Sequence, residues 1–394
     1  MFGFVKRPSR MLVPIVIVAV LAMSSLAAAA SSWTIVPSPN PGTANSINGL
    51  VAVSPTEIWG VGNVSSQSYT GCHGRTLTSR WNGTAFVEVP STPTSVCAAI
   101  NGVAGRSTTD IWAVGSASNG RDTHLRHWNG TTWTTVAGAV IQVPPSGGRR
   151  QRSTALNAVT ALSGTNVWAV GGAEYADFTN NTLIEHWNGQ AWTLVSAPAA
   201  SGSVLRGVAA VGPSDIWAVG SGGASGSATL ATLVEHWNGS RWTVVPSPNA
   251  NKLNFLRGVA TVSANNVWAV GDSVKDPFDG ASVYRTLIEH WNGTSWTVVP
   301  SPNIGAGNNS LAAIAARAAN DIWAVGYFDD ITGSIPIRHT FIQHWNGTAW
   351  SVVASPNAGT GDNWLTSVVA PAGTTQAFAS GISASGTLVE RFAG

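Results

Sequence analysis

Three observations predict an all-β chain folded as a β-propeller of seven four-stranded blades, its ring closed by the N-terminal strand joining the C-terminal blade. The first is repetition. LRGVAAVGPSDIWAVG, a polar loop and TLVEHWNGSRWTVVPSPN fill Leu205 to Asn249, and close variants return at Leu256–Asn303 and Leu311–Asn357. A period of roughly 50 residues marks a propeller or solenoid array. The second is strand composition. Each copy holds four short runs, such as Leu205–Val211, Asp215–Val219, Thr232–Trp237 and Arg241–Val245, rich in Val, Ile, Thr and Trp. Gly, Pro, Ser or Asn bound each run, and four strands per repeat make one blade. The third is an aromatic register. Three slots in seven copies make 21 places, filled by 18 Trp and by Phe86, Phe378 and Phe392, and only Trp364 of the tryptophans falls outside them. Such rings are expected to pack between neighbouring blades, each burying ~150–250 Å².

In chain order, residues 1–30 read as a secretory signal. Lys6, Arg7 and Arg10 precede an apolar run from Met11 to Met23, and Ala28-Ala29-Ala30 supplies small residues for cleavage. An uncleaved anchor is the alternative, since the apolar stretch approaches the ~20 residues that span a bilayer. Residues 31–394 form one domain. The first six blades are expected at 45–90, 95–136, 154–198, 203–247, 254–301 and 309–355. The seventh is split: 363–394 supplies three inner strands, and 31–40 (SSWTIVPSPN) supplies the outer one. Joining them removes the open sheet edges that invite aggregation. Charged residues are 10% of the chain and the net charge is +2, so no basic surface advertises nucleic acid.

The loops divide into two kinds. First-to-second turns are short, and the third-to-fourth turn is Asn-Gly in six copies, a pair favoured in tight hairpins. Second-to-third loops and blade-to-blade linkers vary, and up-and-down connectivity puts both on one face. The tyrosines Tyr175, Tyr284 and Tyr327 are placed in these loops, with Trp364 in a linker and Asp329, Asp330 and Arg338 beside Tyr327. Loops on a rigid scaffold are where binding usually resides. This face is the candidate ligand site, and its rings are expected to stand substantially exposed. A second candidate is the channel mouth, where the inner strands open with Asn48, Asn101, Asn157, Arg206, Arg257, Ala312 and Thr366. These side chains either form a binding ring or merely satisfy neighbouring carbonyls.

Little suggests catalysis. His127, His186, His236, His290 and His344 recur before the third-strand Trp, and five equivalent copies around a ring cannot converge on one substrate. Each is expected to bond within its blade to Asp110, Asn166, Asp215, Asn266 or Asp321. His339, near Asp329, Asp330 and Arg338, is the best lone acid–base candidate. No phosphate loop, metal-spaced Cys/His set or nucleophile elbow is present, so neither cofactor nor metal is expected. Cys72 and Cys97, the two cysteines, are expected to pair in an oxidising compartment.

The blade resembles a kelch repeat: IWAVGG in copy three precedes an HWNG…W stretch and a VxxPxP tail. It also resembles the Trp-rich repeats of secreted bacterial propellers. It departs from kelch in keeping the double glycine only at Gly171-Gly172 and in spacing its aromatic pair five apart, as in Trp187 and Trp192. The resemblance covers most of 31–394 and implies a propeller used for binding. The expected function is a secreted, monomeric, non-catalytic module that holds an extracellular glycan or protein. The alternatives are a polysaccharide lyase or hydrolase working at the channel mouth, and a structural surface-display propeller.

Overall fold

The computed structural model describes residue 3 and residues 32–65, 74–91, 98–117, 121–140, 151–175, 180–198, 202–223, 228–276 and 282–394. The chain divides into Met1–Ser31 and Ser32–Gly394, and all that follows concerns the second unit. Cys72, Cys97 and the signal segment, Gly3 apart, lie outside the described residues. The second unit is all-β, with seven antiparallel sheets of four strands each. Blade five, for example, runs Leu253–Ser263, Asn266–Val274, Tyr284–Trp291 and Trp296–Val298, and blade six runs Asn309–Ala318, Asp321–Asp330, Ile337–Trp345 and Trp350–Val353. The first strands of successive blades touch in sequence and return from the seventh to the first, which closes the ring and places them innermost.

The closing blade is assembled from both ends of the unit. Ser32–Ile35 pairs antiparallel with Gly386–Ala393, outside Ala377–Ser383 and Asn363–Val369, with Trp33 opposite Phe392. Seven apolar clusters hold the ring, one at each blade junction. At every junction the second-strand aromatic of one blade inserts between the third- and fourth-strand aromatics of the next. Trp217 lies 5.0 Å from Trp291 and 5.4 Å from Trp296, and Trp323 lies 4.8 Å from Phe392 and 5.3 Å from Trp33. The tilted and edge-on geometries are those the ring quadrupoles favour. The five repeated histidines bond at 2.8–3.0 Å to the Asp or Asn before the second-strand Trp, as their recurrence suggested.

Two details differ from the sequence reading. Strands are longer: Tyr175 ends Asn166–Tyr175, Tyr284 opens Tyr284–Trp291, and Tyr327, Asp329, Asp330 and Arg338 lie within strands. The hairpin ladders run on into polar residues that look like loop by composition alone. The Asn-Gly turns are also four-residue loops, not two-residue hairpins; Trp187 pairs with Trp192 across Asn188–Ala191. The Asn188 Oδ1 accepts the amides of Gln190 and Ala191, and Gly189 takes a φ of 96° that disfavours any side chain.

Candidate functional site

One backbone irregularity recurs in all seven blades and aims the residues of interest. The inner strand bulges at the residue after its constant Ile or Leu, so that Asn48, Asn101, Asn157, Arg206, Arg257, Ala312 and Thr366 are the unpaired residues. Across the hairpin from the bulge lies a glycine that follows the second-strand Val, or Ser380 in blade seven, and that permits a close backbone approach. A Cβ on Gly271 would sit 1.8 Å from the Phe255 carbonyl oxygen, and one on Gly220 1.9 Å from that of Val204. A bulge re-aims its side chain. Here it points at the next blade: Asn48 donates to Ile100 O at 2.8 Å, Asn101 to Leu156 O at 3.0 Å, Asn157 to Leu205 O at 2.7 Å and Thr366 to Ile47 O at 3.1 Å. For these four blades the side chains satisfy neighbouring carbonyls.

That stitch is absent where the bulge residue is Arg206, Arg257 or Ala312, in the adjacent blades four, five and six. Arg257 turns to Asp272, donating from Nε at 2.6 Å and from a terminal nitrogen at 3.2 Å. Asp272 is fully buried and also accepts from the Ser310 hydroxyl at 2.5 Å. Burial opposes the charge on Arg257, but the hydrogen bonds and field of Asp272 outweigh it and hold its pKa above the usual value. Among the described residues Arg206 has no such ion pair. Its buried Nε meets no acceptor, and burial together with the field of Arg257 lowers its pKa, partly offset by Asp272.

Beside the arginines lies a wall made by blades six and seven. The Arg338 guanidinium lies 4.0 Å from the centre of the Tyr327 ring and 5.5 Å from that of Trp364. Asp329 fixes it through Nε at 3.2 Å, and Asn308 bonds the other Asp329 oxygen at 2.7 Å. The Asp362 carboxylate accepts the Arg338 backbone amide at 2.9 Å. Tyr284 is held by its own amide on Asn308 at 2.9 Å, and its ring lies 6.4 Å from Phe255, over which Arg257 sits at 5.6 Å. Burial raises the Tyr327 phenol above its usual pKa; Asp329 and Asp272 add to this while Arg338 and Arg257 oppose it. A cleft of about 280 Å³ continues past Trp364 to Asn45, Asn63 and Ser383 at the junction of blades seven and one.

The structure therefore brings together Arg206, Arg257, Tyr284, Tyr327, Asp329, Arg338 and Trp364, but not as free rings. Tyr284, Tyr327 and Trp364 are half-buried, packed by the arginines. Tyr175 stands apart in blade three and is only 9% exposed, against the expectation of a free ring, because the ladder extends to pair it with Gln151. Asp330 is also separated. Strand alternation turns it to the opposite side from Tyr327 and Asp329, where it faces His339 at 3.9 Å. Asp272 and Ser310 were not singled out from sequence as site residues. The available signal was positional: the residue after the constant second-strand Gly is Asn63, Ser116, Gly172, Ser221, Asp272, Tyr327 or Ile382, and blade five alone carries an acid there. Among the described residues no group of three or more His, Cys, Asp or Glu is arranged to hold a metal.

No family model matches the chain, and no curated protein does. Solved structures share the fold. YCF48 bound to D1 peptide matches with a TM-score of 0.53 and 13% identity, over 92% of this chain and 95% of that one. YCF48 from Cyanidioschyzon merolae matches with a TM-score of 0.50 and 13% identity, over 91% and 98%. An ulvan lyase, of a new family of polysaccharide lyase, matches with a TM-score of 0.50 and 12% identity, over 77% and 79%. At these identities the likeness is one of fold alone.

Proposed function

We propose that this chain is an exported, non-catalytic binding propeller that holds an acidic extracellular glycan across blades four to seven, on the face of the linkers and second-to-third loops. The observation that carries the reading is the interrupted stitch. Where four blades satisfy a neighbouring carbonyl, Arg206 and Arg257 present guanidinium groups instead, next to the Tyr327–Arg338–Trp364 wall. Arginine suits carboxylate and sulfate groups, and aromatic rings suit flat sugar faces. The kelch-like resemblance points the same way. In this reading residues 1–30 are removed on export, Cys72 and Cys97 form a bridge, and the mature protein acts as a monomer; intact mass and sedimentation of the secreted protein check all three. Binding is tested on an array of acidic and neutral oligosaccharides. The parent should retain uronate-bearing or sulfated members, and Tyr284→Ala/Tyr327→Ala should lose them with little change in Tm. Lost stability with capture intact would return both tyrosines to the scaffold.

A second reading, a protein ligand, is favoured by one feature of the same face. The tip of the blade-six hairpin exposes Ile331, Ile335 and Ile337, with Ile335 at 76%. Exposed apolar side chains beside a polar site are more useful to a protein partner than to a sugar. Capture of a protein through Ile335, lost in Ile335→Ser, with no response on the glycan array, would select this reading.

A further inference from the structure

The junction of blades seven and one departs from the repeat on the opposite face, that of the first-to-second and third-to-fourth turns. Of the seven interblade aromatic triads, five are all Trp and one has a single Phe, whereas this one comprises Trp81, Phe86 and Phe378. A cleft of about 660 Å³ opens at this junction, with Trp81 in its lining and the two Phe rings buried behind it. That is within the usual size of small-molecule sites. The residues around it are also replaced. Five blades carry His before the third-strand Trp, but the equivalents here are Arg80 and Arg391. The outer strands of the other six blades follow their aromatic with Thr or Ser, whose hydroxyl reaches the third-strand carbonyl; blade one has Val87, half exposed.

The charges are not matched within this cleft. Arg80 bonds the Glu57 carboxylate at 2.5 Å, as a His would bond its Asp. Among the described residues Arg391 has no acidic partner: Nε donates to Gln376 Oε1 at 3.2 Å, and its guanidinium lies 5.7 Å from the Trp81 ring centre. The cleft thus joins two arginines and one carboxylate to an apolar wall of Val87, Val89 and Trp81.

We propose that this cleft is a second binding site, separate from the glycan face, which takes a small organic carboxylate with a flat apolar body. The carboxylate lies on the terminal nitrogens of Arg391 and the body lies along Val87 and Val89. A bidentate guanidinium–carboxylate contact gives direction as well as affinity, and the Gln376 amide fixes the fork without neutralising it. The repeat itself supplies conservative tests, because the other blades show which residues the fold accepts. Benzoate is titrated into the full mature chain at pH 8 by calorimetry, with benzamide as the uncharged isostere. Saturable benzoate binding is expected, at least tenfold tighter than benzamide. Arg391→His should weaken it at least tenfold, and Val87→Thr, the residue five other blades carry there, should weaken it several-fold by removing part of the apolar wall while leaving both arginines in place. Tyr327→Ala should leave it unchanged, so loss of the glycan reading would not touch this one. Absence of saturable binding to the parent, equal affinity for benzamide, or unaltered binding in both cleft variants would overturn the proposal. If Arg391→His lowers Tm so far that it is unfolded at the assay temperature, Val87→Thr alone decides.

Discussion

Asp272 is the residue on which the charge arrangement of the candidate site depends. It is fully buried, accepts three hydrogen bonds and holds Arg257 away from the stitch its equivalents make. Asp272→Ala would leave Arg257 and Ser310 without their acceptor, and should lower unfolding free energy by about 2–4 kcal/mol. The value falls below that of a wholly buried pair because the Arg257 side chain is 33% exposed. Urea unfolding of the variant checks it; a change under about 0.5 kcal/mol, the size of an ordinary surface substitution, would contradict the arrangement. Tyr327 and Arg338 illustrate the same point by packing. Their 4.0 Å cation–π contact makes the tyrosine a support for the arginine.

At the scale of the element, what repeats was legible and what interrupts the repeat was legible only in part. The aromatic triads and the His–Asp or His–Asn pairs could be read directly, because an identical residue in each blade must do an identical job. The ends of the strands could not, since Tyr175 and Asp330 continue ladders whose composition resembles loop. The inner-strand bulge was also hidden, and with it the direction of Arg206 and Arg257, because a one-residue insertion shifts alternation without altering composition. The closing strand belongs to the legible part. Trp33 is buried between Trp323 and Phe392, so a protein beginning after Asn40 loses that ring and exposes the edge of Gly386–Ala393. Its stability should fall by about 3–5 kcal/mol from the lost Trp alone. Calorimetry of the shortened protein checks this, and an unchanged Tm would contradict closure by that strand.

At the scale of the whole molecule, the third strands of blades three, five, six and seven carry buried polar groups that link each of these blades to the preceding linker. Ser247 donates to Glu289, Ser355 to Glu390 at 2.8 Å, Ala139 N to Glu185 at 3.1 Å, and Gln343 to Pro302 O at 2.9 Å. Burial pushes Glu185 and Glu289 up to about 7 and Glu390 up to about 8. An acid whose folded pKa exceeds its unfolded one binds protons more tightly when folded, so its contribution is lost as pH rises through the folded value. Burial lowers His186 and His290, and lowers His124 to about 4, which acts oppositely but only below the unfolded His pKa near ~6.5. The two sets offset each other in mild acid, and above it only the glutamates titrate. Tm should therefore fall between pH 6.5 and 8.5, and less steeply in Glu390→Gln, a replacement that blade six already makes with Gln343. A Tm that rises over that interval would contradict the buried glutamates.

The interruption of sevenfold order over blades four to six is the central claim, and Arg206→Asn tests it most directly. Asparagine would restore the stitch seen at Asn48, Asn101 and Asn157, here to the Leu256 carbonyl, and would remove a cation that Arg257 disfavours. A group retained for function at the expense of the scaffold has a definite signature on replacement: stability rises and binding falls. Tm and acidic-glycan capture are measured together on the variant and the parent. The expected result is a Tm equal to or above that of the parent with capture lost; a lower Tm with capture intact would make Arg206 part of the scaffold and contradict the account.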